Sequence, residues 1–114
     1  MRDKLFLLKP DFVDGDSLLY YCVECAQLEG VLSFYPRLRT ELDVERVDFQ
    51  RPRKAILELI GEPNQSAPVL IVGNASSRPG GIEYGEYENR HFVSGAAAIG
   101  EYLAKQYNIG SPHH

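Results

Sequence analysis

Apolar runs closed by turn-forming residues divide the chain into alternating short and long periods. Leu5-Phe6-Leu7-Leu8 is a continuous apolar run ended by Lys9-Pro10, the pattern of a strand covered on both faces. Residues 11–21 read as a loop, with turn residues Asp14-Gly15-Asp16-Ser17. From Cys22 the spacing turns helical: Cys25, Leu28, Leu32 and Tyr35 share a face with Val31, and Pro36 marks a break or a kink. Val44 to Phe49 reads as a second strand, with Val47 and Phe49 flanking Asp48. Arg51-Pro52-Arg53 opens a short helix whose stripe is Ile56, Leu59 and Ile60, and Gly61 stops it. After the turn segment 62–66, Ala67-Pro68 leads into a third strand, Val69–Val72. Residues 73–90 are polar and rich in Gly, Ser, Glu and Tyr. They read as a long insertion between strands, with room for a small hairpin around Pro79-Gly80-Gly81. His91-Phe92-Val93 is a short fourth strand. Ser94 is placed to cap a last helix, 95–107, whose inner face carries Ala96, Ile99, Leu103 and Tyr107.

The order is β-α-β-α-β-β-α. Strands joined through a helix are expected to run parallel, through right-handed crossovers. The expected fold class is therefore α/β, a four-stranded mixed sheet with helices on both faces. No repeat or linker divides the chain, so a single domain spanning 1–114 is expected.

Composition narrows the function. At 114 residues the chain is long enough to bury a core without disulfides or metal. Twelve basic against sixteen acidic residues give a net charge of −4. That disfavours sequence-independent nucleic-acid binding, which needs a basic surface to displace phosphate counterions. The apolar runs are too short to span a bilayer, so no membrane partner is expected. Only four apolar residues follow the first charged positions, which is not a secretory h-region. A cytoplasmic location is expected, and there a disulfide is usually transient and catalytic rather than structural.

That expectation bears on the two cysteines, Cys22-Val23-Glu24-Cys25. Two thiols three positions apart at the start of a helix suit dithiol–disulfide exchange. The attacking species is the thiolate, favoured at a helix N-terminus by unpaired N–H groups and the positive end of the macrodipole. Cys22 would point outward as nucleophile, and Cys25, one turn on, would resolve the mixed disulfide. Glu24 adds a negative charge beside the developing thiolate, which Lys9 could offset. The plain alternative is two small buried apolar residues. A zinc half-site would need two further ligands, and only His91 lies outside the tail, so no metal is expected. Asp11, Asp14 and Asp16 do not match a calcium loop and read as a solvated turn.

The element order, with the cysteines opening the first helix, resembles the thioredoxin fold, most closely its glutaredoxin and glutathione-transferase branch. Asn64-Gln65-Ser66-Ala67-Pro68-Val69-Leu70 is similar to the loop and Val-Pro-Val-Leu stretch of glutathione transferases, whose proline is cis. Ala98-Ile99-Gly100-Glu101-Tyr102-Leu103 resembles their Ala-Ile-x-x-Tyr-Leu helix. The whole chain also resembles a bacterial family of stand-alone thioredoxin-like proteins. The resemblance implies a thiol–disulfide oxidoreductase with Cys22 and Cys25 catalytic. It implies a cis Ala67–Pro68 bond that turns the Ala67 backbone toward substrate. The acidic–Ser pair that holds the γ-glutamyl group in transferases maps onto Gly95-Ala96. The expected cofactor set is therefore none, with glutathione lacking that polar contact.

The remaining candidates are weaker. Arg51 and Arg53 follow the second strand, at the same sheet edge as the exit of the first, and could receive a substrate carboxylate; a solvated helix start explains them equally well. Tyr21 and Ser94 flank the expected groove, Ser94 beside N–H groups of residues 95–97 that could bind an anion or simply form a cap. The expected partner is a protein or small-molecule disulfide or thiol. The competing reading is a non-catalytic binding module, with Tyr84 and Tyr87 of the insertion as its surface.

Overall fold

Strand β1, Lys4–Leu8, explains most of the architecture. Leu5, Phe6 and Leu7 are all fully buried, and successive side chains of a strand point to opposite faces. Such a strand needs a layer on each side. In the computed structural model, which describes residues 1–114, those layers are helices. The elements that follow are α1 (Val23–Phe34), α2 (Leu38–Glu41), β2 (Asp43–Val47), α3 (Lys54–Ile60), β3 (Val69–Ile71), β4 (Gly85–Tyr87), β5 (Arg90–Ser94) and α4 (Ala96–Tyr107).

Cross-strand register sorts the core. Leu5 lies opposite Leu70, which lies opposite Val93. All three join Leu28 and Leu32 of α1 and Ile99 and Leu103 of α4 in the larger cluster. One residue along, Phe6 lies opposite Val69 and faces the other way, toward Ile56 and Ile60 of α3. The second layer is thin: α3 alone covers it.

The sheet has five strands, in the order β2-β1-β3-β5-β4. Two expectations are corrected. The four-stranded sheet gains β4, because the hairpin of the insertion does not form at Pro79-Gly80-Gly81. It turns instead at Glu88-Asn89, where Tyr87 pairs with Arg90 and Glu88 takes a left-handed φ of 54°. Neither the Glu-Asn turn nor the sequence Gly-Glu-Tyr carries the usual hairpin and strand signals. Tyr84 of the insertion turns inward, its hydroxyl donating to the Pro79 carbonyl and its ring edge-on to Tyr102.

The second correction concerns direction. β2 is parallel to β1, as expected, but β3 is antiparallel to it. The reason lies between α3 and β3. The seven residues of α3 advance only about 10 Å, and residues 61–68 carry the chain back over that length. Gln65 marks the return. Its side-chain oxygen accepts the Arg53 backbone N–H at 2.6 Å, and its carbonyl accepts the Arg53 guanidinium at 2.8 Å. Residue 65 therefore sits beside the start of α3, and β3 begins at the sheet edge where β2 ended.

Boundaries also shift. β2 ends at Val47, which leaves Phe49 outside the sheet, stacked on Phe12 with ring centroids 4.2 Å apart. α1 ends at Phe34, so the break falls where Pro36 was expected to make it, and a separate short helix, α2, then buries Leu38. Ser94 closes β5, and Gly95 caps α4 with φ +88°. Asp3, buried just before β1, accepts from the Gly73 N–H and from both Tyr102 and Tyr107 hydroxyls. It ties α4 to the first strand.

The Arg53 guanidinium donates to Phe49 O through Nε and Nη2 and to Gln65 O through Nη1, so Arg53→Met strands one buried and one half-buried acceptor. Chemical denaturation is expected to show a loss of about 2–4 kcal/mol. Arg51→Met, at an exposed position, should leave stability nearly unchanged.

Candidate functional site

Residues 11–21 bring the chain from the end of β1 to the start of α1. The loop is self-supporting: Phe12 and Tyr20 exchange backbone hydrogen bonds. Asp16 accepts from the Leu18 N–H at 2.9 Å and the Tyr20 hydroxyl at 2.6 Å. The latter bond lowers the Asp16 pKa and raises that of Tyr20. The aspartates thus form the solvated turn expected of them.

Cys22 is the N-cap of α1. Its backbone is extended, and its Sγ accepts the Cys25 backbone N–H at 3.1 Å. A sulfur thus takes the place of the hydroxyl or carboxylate oxygen that usually satisfies a first-turn donor. The N–H and the positive end of the helix point at the sulfur. Cys22 is partly accessible, whereas Cys25 is 3% exposed. The Cys25 sulfur accepts the Leu8 N–H at 3.3 Å, which ties it to the end of β1. Burial pushes the Cys25 thiol up to about 12, helped by its hydrogen bond with Cys22 and opposed by the Leu8 N–H. Both thiols are free. They share with Tyr21, Leu8, Pro10, Ala26 and Glu29 a mostly apolar cleft of about 230 Å³.

Glu24, between the cysteines, does something the sequence did not suggest. Its Oε1 accepts the Ala96 backbone N–H at 2.9 Å, which caps α4 from a residue 72 positions away. Gly95 sets the entry into α4 with a φ of +88°, which suits glycine. A signal was present. The last helix lacks a Ser, Thr, Asp or Asn at the observed cap, so its first donors needed a partner from elsewhere. Ser94 is exposed and paired with Val69 in the sheet; it makes no cap bond.

The other candidates separate into two groups. Ala67–Pro68 is cis, as is Arg51–Pro52. Ala67 packs on the same core cluster as Cys22, and the Pro68 carbonyl accepts the Gly95 N–H at 3.2 Å, next to the residue Glu24 caps. Tyr21, Cys22, Cys25, Glu24, Pro68 and the start of α4 thus form one connected corner. Arg53 lies buried behind it, its guanidinium held by two carbonyls. Burial and Arg51 lower its pKa, while both cysteines act in the opposite direction, placing them within electrostatic reach. Arg51 lines a polar groove of about 440 Å³ with Lys9, Arg46, Lys54 and Arg53 itself, and neither cysteine borders it. Lys9 pairs with Asp48 at 3.2 Å. His91 is remote, bonded to Glu86 at 2.9 Å, and no three His, Cys, Asp or Glu side chains converge. No helix is long and apolar enough to cross a membrane.

The model of a family described as "Protein of unknown function (DUF3088)" matches residues 2–111, and the chain belongs to that family. No curated protein and no solved structure matches it.

Two measurements probe this corner. In Cys22→Ser, where Cys25 is the only thiol, ultraviolet thiolate absorbance should be absent at pH 9.0, the ordinary thiol midpoint; a midpoint there would mean Cys25 is not buried as described. Glu24→Ala, which removes a helix cap, should lower stability by about 1 kcal/mol in denaturant titration, with Glu24→Gln losing less because it keeps an acceptor.

Proposed function

We propose that this member of the DUF3088 family is a thioredoxin-like thiol–disulfide oxidoreductase, working on protein or small-molecule disulfides in the cytoplasm. The observation that carries the reading is the pairing of unequal thiols. Cys22 caps a helix with its sulfur in the path of a backbone N–H, and Cys25 is buried one turn behind it. Support comes also from the β-α-β-α-β-β-α order, with β4 added within the insertion, and from the cis Ala67–Pro68 bond leading into β3.

The step balances without a cofactor. The Cys22 thiolate attacks one sulfur of a substrate disulfide. A bond forms from Cys22 Sγ to that sulfur, the substrate S–S bond breaks, and the second sulfur leaves as a thiolate that takes up a proton. Cys25 then loses its proton and attacks Cys22 Sγ. The Cys22–Cys25 bond forms, and the first substrate sulfur leaves as a thiol. The substrate gains two electrons and the protein loses two; an external thiol restores the dithiol by the reverse exchange.

The high pKa of Cys25 fits the second role. A buried neutral thiol does not compete for substrate, and it becomes reactive only when a base or a departing thiolate removes its proton. Burial also holds the two sulfurs together, so the second attack is intramolecular and fast. The Leu8 N–H on Cys25 favours its ionised form and gives the resolving thiolate a donor at the moment it appears.

A turnover assay with a neutral small disulfide and an external dithiol separates this reading from a non-catalytic binding module. The wild type should turn over, Cys22→Ser should be inactive, and Cys25→Ser should accumulate a mixed disulfide on Cys22 detectable by mass. A wild type without turnover, with Cys22 closed to alkylating agents, would refute the proposal.

A further inference from the structure

Six of the nine large apolar side chains that the molecule leaves exposed fall within residues 13–23, immediately before and inside the dithiol turn. Val13, Leu18, Leu19, Tyr21 and Val23 are each between 48% and 66% exposed. They are not scattered. Phe12 and Tyr20 are paired across the loop, which sets Val13 opposite Leu19, and 18–21 run without a break into Cys22, with Val23 just beyond it. Tyr21 lines the dithiol cleft itself. A loop that holds its shape through backbone pairing and the Asp16 bonds has no structural need for these side chains outside. An apolar patch continuous with a reactive centre marks a binding surface.

Charge says what would bind there. Between Lys9 and Arg37 there is no Lys, Arg or His, while Asp11, Asp14, Asp16, Glu24 and Glu29 all fall in that stretch. Only Glu29 has a cationic partner, Arg46 at 2.7 Å. The Ala96 N–H at the head of α4 is already taken by the Glu24 carboxylate. Anionic ligands therefore meet a run of carboxylates with no cation among them along this stretch of the chain.

We infer that the substrate is a polypeptide disulfide flanked by apolar and basic residues, docked on the lip formed by Val13, Leu18, Leu19, Tyr21 and Val23. The inference rests on the oxidoreductase reading and gives its substrate class. Apolar side chains of the polypeptide cover Leu18, Leu19 and Val23, its cations face Asp11 and Asp14, and its disulfide reaches Cys22 for the exchange already described. The polar groove around Arg51 and Lys54 is the competing surface, and it would select acidic polypeptides instead.

Single-turnover mixing of the reduced protein with synthetic disulfide peptides tests this. Three peptides share a cysteine spacing and carry apolar-basic, apolar-acidic or polar-basic flanks; hydroxyethyl disulfide is the neutral reference. The apolar-basic peptide should react about tenfold faster than the apolar-acidic one at low ionic strength, with the gap narrowing as salt screens it. In Leu18→Ser/Leu19→Ser, both at exposed positions, the apolar-basic rate relative to hydroxyethyl disulfide should fall about tenfold, with the loss of apolar contact. Equal rates for all peptides, or a preference for the acidic one, would overturn the docking surface while leaving the dithiol chemistry standing. No reaction with any disulfide, hydroxyethyl disulfide included, would overturn both.

Discussion

A strand with four consecutive apolar residues cannot be served by a single layer, and that constraint organises this molecule. Leu5 and Leu7 require one cover and Phe6 another. The larger cover is α1 with α4, and to lie over β1 in a parallel crossover α1 must begin near the end where β1 finishes. The N-terminus of α1 therefore meets the end of β1, and the Leu8 N–H reaches the Cys25 sulfur. The dithiol is where it is because β1 is apolar on both faces.

Two polar locks hold that corner, and each is made by a residue that would otherwise be free to meet a ligand. Arg53 gives its guanidinium to the Phe49 and Gln65 carbonyls, which fixes the return of the chain into cis Pro68 and β3. Glu24 gives its carboxylate to the head of α4, which couples the turn between the cysteines to the second helix of the same layer. Glu24 therefore plays two opposing parts. Its charge disfavours a thiolate beside it, but the α4 N-terminus draws that charge toward another dipole. What remains open at the corner is apolar: the cleft beside Cys22 and the exposed side chains leading to it.

The periodicities of the sequence located every helix of two turns or more and four of five strands, because those segments have strong apolar spacing. Short polar elements escaped for a physical reason. β4 is Gly-Glu-Tyr at a sheet edge, where one flank lacks a partner strand and no core selects its residues. α2 is four residues long and follows a proline. The direction of β3 was missed because a parallel crossover is the default after a helix, and only Gln65 beside Arg53 shows that the chain has doubled back. At the site, the cysteines were legible from their spacing, and the cis bond at Pro68 only from the resemblance to glutathione transferases. Arg53, Glu24 and Ser94 were not, since a charged side chain in sequence does not reveal whether its partner is a ligand or a backbone group far along the chain. Gly95 in place of a capping residue was the one overlooked clue.

The proposed exchange stands on the two sulfurs acting as one two-electron couple. Equilibrating the protein across thiol–disulfide buffers of graded potential, trapping free thiols with an alkylating agent, and counting them by mass tests this directly. Cys22 and Cys25 should lose reactivity together along a single two-electron Nernst curve, with protein carrying one blocked cysteine scarcely populated. Cysteines that oxidise independently, or that stay reduced in the most oxidising buffer, would contradict it.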